Sequence, residues 1–143
     1  ELTRSELPDT LMHGDLHRAN IVLQKDGEPL YYDWSHATIT HPFFDVFTLS
    51  EWDGDGWIQE HLALLVRAYL DPWTAFQPLP RLQQVYALSQ RIAPLYWALT
   101  YRRVVLQIEP SSREAEFRRA FARLVPYLCA RNTAGAPGDS RFG

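Results

Sequence analysis

An acid, an amide and a second acid stand close together early in the chain. In the stretch Met12-His13-Gly14-Asp15-Leu16-His17-Arg18-Ala19-Asn20, Asp15 is followed five residues later by Asn20, and Asp33 lies in the segment Tyr32-Asp33-Trp34. Carboxylate and amide oxygens without a thiolate suit a hard cation such as Mg²⁺, or Mn²⁺ in its place. Such a cation keeps several waters and is shared with substrate phosphates. Asp15, near that metal without being buried in it, has the chemistry to take a proton from an attacking hydroxyl. Singly, each residue has an ordinary structural use: an Asp before a helix or turn caps it, an Asn at a strand start serves a turn, and an Asp at a strand end accepts from a backbone amide. Their joint spacing is what points to chemistry. His13 and His17, four apart, would also suit zinc, but Gly14 weakens a helix there and the glutamate of the metalloprotease pattern is absent.

These residues need elements to bring them together. Asn20–Gln24 and Pro29–Asp33 are short runs of β-favouring residues around Lys25-Asp26-Gly27-Glu28, and an Asp-Gly pair between such runs predicts a small hairpin. That hairpin would fold Asp33 back beside Asn20. After the loop Trp52-Asp53-Gly54-Asp55-Gly56, the segment Trp57–Leu70 places Ile58, Leu62, Leu65, Val66 and Tyr69 on one face of a helix, which Asp71-Pro72 ends. A second helical stretch runs from near Pro80 to about Ile108, and Pro94 in its interior predicts a kink or a break into two helices. A third runs from about Arg113 to Ala130, with Ser111 and Ser112 as caps and Glu114 and Glu116 in its first turn. Residues 132–143, rich in Gly, Pro and small residues, read as a flexible tail. In the loop before the first long helix, Glu51, Asp53 and Asp55 interleave with Trp52 and Trp57. That mixture suits a cationic amine, or equally a solvated capping loop whose tryptophans pack on the core.

Composition narrows the class. With 143 residues, 46% hydrophobic and 22% charged, the chain is one ordinary domain or part of one, long enough to close a core and unlike disordered or fibrous sequences. No apolar run reaches the length of a membrane helix, because Arg67, Arg91, Arg102 and Arg103 interrupt the long helices, and the N-terminus lacks an export signal. The cytoplasm is the default. A single cysteine, Cys129, excludes an internal disulfide and a multi-cysteine zinc site. The net charge of −3 divides into −9 over residues 1–60 (three basic, twelve acidic) and +6 over residues 61–143 (eleven arginines, five acids). The arginines fall at helical spacing among apolar residues, which describes a solvated helix surface and not a nucleic-acid face.

The string HGDLHRANIVL resembles the catalytic loop of the aminoglycoside phosphotransferase and choline kinase family, usually HGDxHxxN. YYDWSHATITHPFFDV resembles the metal-binding segment that follows it, with its Asp-Trp and later Pro-x-x-Asp. The resemblance implies an α+β fold, mostly α: the C-terminal lobe of a protein-kinase-like fold, with a small β-hairpin after the catalytic loop. It implies that Asp15 is the catalytic base and that Asn20 and Asp33 hold the magnesium ions bridging the phosphates of ATP or GTP. His13 would be the structural histidine of the loop, Asp45 the carboxylate buttressing it from beneath, and His17 a loop-orienting residue. Arg18-Ala19 replaces the usual Pro-Gly, which alters loop stiffness and removes no catalytic atom. Residues 1–131 would form the lobe, with catalytic loop, hairpin and metal segment in 10–50 and a helical subdomain in 57–130.

The family's nucleotide-gripping half has no counterpart here. Lys25, the only lysine, sits in the hairpin turn, and no Gly-x-Gly-x-x-Gly occurs. The expected function is therefore phosphoryl transfer from ATP or GTP to a small-molecule hydroxyl, aminoglycoside-, choline- or sugar-like. An N-terminal lobe in cis or trans would be a required partner, and the chain alone would be inactive; no nucleic acid and no membrane is involved. A non-catalytic remnant serving as a binding module, and a Ser/Thr protein kinase-like enzyme, are the alternatives.

Overall fold

A computed structural model describes residues 6–51 and 55–129. The tail expected over residues 132–143 lies outside them. Four three-residue strands come first: β1 (Thr10–Met12), β2 (Ile21–Leu23), β3 (Pro29–Tyr31) and β4 (Thr38–Thr40). Four helices follow: α1 (Asp45–Glu51), α2 (Trp57–Leu70), α3 (Leu79–Val105) and α4 (Pro110–Cys129). The chain is mostly helical with two small antiparallel sheets, β1 with β4 and β2 with β3. It divides into two compact units, Glu1–Arg91 and Ile92–Gly143.

In the first unit the Asp-Gly turn makes the expected hairpin. Ile21 pairs with Tyr31 and Leu23 with Pro29, and Gln24 and Gly27 close the turn with a 3.0 Å backbone bond. Gly27 adopts φ 88° there, a conformation that costs a glycine little. The β1–β4 pair, with Thr10 opposite Thr40 and Met12 opposite Thr38, is absent from the sequence reading. Strands of three residues show too little alternation to register, and a partner so far along the chain leaves no local signal.

The core gathers Phe43, Val46, Val66, Leu70, Leu82, Val85 and Tyr86, with Leu7, Leu62, Tyr69, Trp73 and Leu79 packed against it. α2 turns the expected face inward: Ile58, Val66 and Leu70 are buried, whereas Leu64 is exposed. Phe43 stands edge-on to Tyr69 and to Trp73, each at 5.9 Å between ring centres, an arrangement that adds to simple burial. Two side chains satisfy backbone carbonyls beside it. Tyr69 Oη donates to Pro42 O at 2.5 Å and Gln90 Nε2 to Phe43 O at 2.7 Å. A full core side chain such as Leu70 or Phe43 is worth about 1.5–3 kcal/mol in transfer from water, so this cluster anchors the segment that leads into α1.

α3 runs from Leu79 to Val105 as one helix with Pro94 inside it, so the expected break does not occur. Pro94 is buried. It offers no N–H to the Gln90 carbonyl, and a long helix with packing on both sides of one such defect persists through it. In the second unit, Ala93, Val105 and Ala120 are buried, Trp97 stacks on Tyr101 at 4.8 Å, and Tyr101 Oη donates to Glu116 at 2.9 Å. α4 starts at Pro110, earlier than the serine-cap reading predicts. Proline at the first helical position has φ preset and lacks only an amide that would be unpaired anyway. Among the described residues no helix is long and apolar enough to cross a membrane.

Candidate active site

The loop between β1 and β2 is pinned from beneath by one carboxylate. Asp45, the first residue of α1, accepts from the backbone N–H of His13 at 2.7 Å through Oδ2 and of Gly14 at 2.8 Å through Oδ1. Burial pushes the Asp45 carboxyl up from its ordinary value; the Gly14 and His13 amides, and then the His13 ring, pull it back. Gly14 has φ 84°, and a Cβ there would lie 2.3 Å from the His36 carbonyl oxygen. No side chain fits, so the tight approach of the loop to the segment after Asp33 depends on glycine.

His13 ties the same loop to the end of the hairpin. Its ring is buried against Trp34, 4.7 Å between centres. Nε2 donates to the Tyr32 carbonyl at 2.7 Å, and Nδ1 accepts from the Asp15 N–H at 3.3 Å. Those two partners assign the neutral Nε2–H tautomer.

Asp15 itself is half-buried, with His17 Nε2 3.6 Å from its Oδ2, close enough for charge attraction but beyond hydrogen-bond range. Asn20 ends a single 3₁₀ turn, and its Nδ2 donates to the Asp15 carbonyl at 3.0 Å. With the amide nitrogen committed to the loop, Oδ1 carries the side chain's acceptor capacity. The hairpin brings Asp33 next to Asn20, as its spacing predicts: Tyr32 N donates to Asn20 O at 2.9 Å, and Asp33 is the next residue. Asp33 is exposed and adopts φ 56°, a left-handed conformation that Asp tolerates better than most side chains. The Ser35 hydroxyl donates to its Oδ1 at 2.6 Å. This bond first, and the Ser35 amide second, hold the Asp33 carboxyl below its ordinary value and keep it ionised.

Of the residues expected to meet an amine, Glu51 ends α1 on the surface, and Trp52 and Asp53 lie outside the described residues. Asp55 binds an internal cation: Arg18 Nη1 donates to both of its carboxylate oxygens at 2.6 and 2.7 Å. Trp57 opens α2 beneath the same guanidinium. Sequence reasoning assigned no role to Ser35 or His61 and treated Arg18 only as a change in loop stiffness. Asp33-x-Ser35 was readable as a local Asp/Ser turn, whereas Arg18 and Asp55 are too far apart in sequence to signal their pairing.

The Asn20 amide bonded to the Asp15 carbonyl, and the Tyr32 amide bonded to the Asn20 carbonyl, bring the backbones of Asp15, Asn20 and Asp33 to one loop–hairpin junction. The side chains of Asp15, Asn20 and Asp33 offer oxygens, the donor type that a hard cation takes, although among the described residues no group of three His, Cys, Asp or Glu side chains stands together as a metal site. The chain belongs to the phosphotransferase enzyme family, whose model matches residues 1–79, more than half of the 143. Comparison with curated proteins finds no match, and neither does comparison with solved structures.

Proposed function

We propose that this chain is the C-terminal, catalytic lobe of a kinase-like phosphotransferase that moves the terminal phosphoryl group of ATP or GTP to a hydroxyl of a small molecule. The observation that carries the reading is the bond of the Asn20 amide to the Asp15 carbonyl beside the backbone contact of Tyr32 with Asn20, since it brings Asp15, Asn20 and Asp33 to one junction of loop and hairpin. Asp15 accepts the hydroxyl proton as the acceptor oxygen bonds to the γ-phosphorus; the bridging bond to the β-phosphate breaks and the nucleoside diphosphate leaves. Asn20 Oδ1 and the Asp33 carboxylate are the groups to hold Mg²⁺ or Mn²⁺, which when bound neutralises charge on the phosphates. His13 and Asp45 position the loop by fixing its backbone. His17, beside Asp15, orients the loop and adds positive potential when protonated.

The test is a transfer assay of a protein that also contains a phosphate-covering lobe, with ATP and GTP against amino alcohols, sugars and aminoglycosides. Asp15→Asn is expected to lower kcat by about 10²–10⁴. Asp33→Ala is expected to abolish the nucleotide-dependent part of Mg²⁺ binding. Unchanged turnover in the first variant, or unchanged binding in the second, overturns the corresponding role; transfer to no acceptor at all favours a non-catalytic binding module.

A further inference from the structure

The contact between the catalytic loop and α2 has a cation built into it. Arg18 lies three positions after Asp15, within about 11 Å of fully extended chain. Its Nη1 grips both oxygens of Asp55, and its guanidinium carbon stands 5.8 Å from the centre of the Trp57 ring. The receiving platform is organised by α2 without Arg18. Trp57 N donates to Asp55 Oδ1 at 3.2 Å, the Trp57 ring stacks on His61 at 4.4 Å and 22°, and His61 Nδ1 lies 2.8 Å from the Trp57 carbonyl oxygen. A carboxylate beside an aromatic face is what an organic ammonium seeks, and Arg18 meets both features.

We propose that Arg18 is the built-in occupant of a cation platform formed by Asp55 and Trp57, and that it biases the neighbouring acceptor site against positively charged alcohols. The acceptor half of this inference rests on Asp15 being the base. Because Arg18 is tethered to the loop, it competes at a high effective concentration with any free amine. Because the pair is exposed, at 50% for Arg18 and 62% for Asp55, the ion pair itself is weak and exchangeable. The bias is therefore modest, and removing Arg18 takes its guanidinium off the platform.

Tetramethylammonium is the probe, since it carries the charge and has no hydroxyl to react. Its binding to the full chain is read from the Trp57 indole N–H resonance, assigned with Trp57→Phe. Arg18→Ala is expected to bind it about five- to tenfold more tightly than the parent, Arg18→Lys no more tightly than the parent, and Arg18→Ala with Asp55→Asn no more tightly either. Arg18→Gln replaces Arg18→Ala should the latter fail to fold. Equal affinity in the parent and Arg18→Ala overturns the platform, as does an equal gain in Arg18→Lys or in the double variant. In the transfer assay, the ratio of kcat/KM for a quaternary amino alcohol to that for a neutral diol is expected to rise in Arg18→Ala by the same factor. A binding gain with an unchanged ratio overturns the acceptor bias, whereas transfer to neither alcohol defeats the phosphotransfer reading and leaves the probe result standing.

Discussion

Asp45 shows how much of the site depends on a residue that performs no chemistry. Its two oxygens serve two successive amides in a buried place, so an asparagine there would accept from one amide and direct its own N–H₂ at the other. Asp45→Asn is expected to lose about 1–3 kcal/mol through the amide left unpaired, read as a lower urea midpoint. An unchanged midpoint would mean that the fork is not rigid. His41 offers a test of pH. Its ring caps the turn at Pro42 by accepting from Phe43 N at 3.3 Å, while its buried Nε2 has no hydrogen-bond partner among the described residues. Burial pushes the ring below its usual value, with Asp9 partly opposing. The folded state thus binds a proton less readily than the unfolded chain. The stability this group contributes is full above about pH 6.5 and is lost as the pH falls from there through the folded value. His41→Asn keeps a capping oxygen and is expected to shrink the difference in unfolding free energy between pH 7 and pH 5. A difference as large as the parent's assigns the acid sensitivity to other groups.

At the scale of elements, the site depends on packing behind it. The segment Pro42–Phe44 enters α1 buried, and its Phe43 joins the cluster made with α2 and α3, so Asp45 follows directly on a packed segment. Leu82 of α3 is completely buried in that cluster. Leu82→Ala is expected to cost about 2–5 kcal/mol, transfer plus cavity, measured by thermal or urea unfolding. A loss below 1 kcal/mol would show that the cluster collapses freely around the gap. α1 itself has seven residues and no readable periodicity. It is helical because Phe43, Val46 and Phe47 are buried where they are, not because the segment prefers helix.

At the scale of the molecule, the proposed reading leaves the triphosphate to groups that the described residues do not show. The one lysine is in the exposed hairpin turn, and the seven glycines include no Gly-x-Gly-x-x-Gly pattern. Phosphoryl transfer is mostly positioning plus charge stabilisation, so the chain assayed by itself is expected to show Asp15-dependent turnover far below about 1 per second. Turnover at that rate or above, absent in Asp15→Asn, would make a second lobe dispensable. The sheets also carry apolar side chains in the open: Leu11 and Ile39 on one, Val22, Leu23, Leu30 and Tyr31 on the other. The isolated chain is accordingly expected to self-associate with concentration in sedimentation, and Leu23→Lys with Ile39→Lys to weaken that association.

Local chemistry alone determined the hairpin, because an Asp-Gly turn between β-favouring runs needs no distant partner. It determined α2 and its buried face, because the helical period is repeated over fourteen residues. The nearness of Asp33 to Asn20 was legible for the same reason, since one hairpin separates them. Tertiary structure decided what the sequence left open. α3 continues through Pro94 as one helix, where local reasoning allows a break. The β1–β4 pairing and the Asp45 fork each join residues about thirty apart. Arg18 pairs with Asp55, 37 positions further along the chain, and meets the Trp57 ring. Such pairings depend on the free energy of a core that forms from many segments at once, and no window of neighbouring residues encodes it.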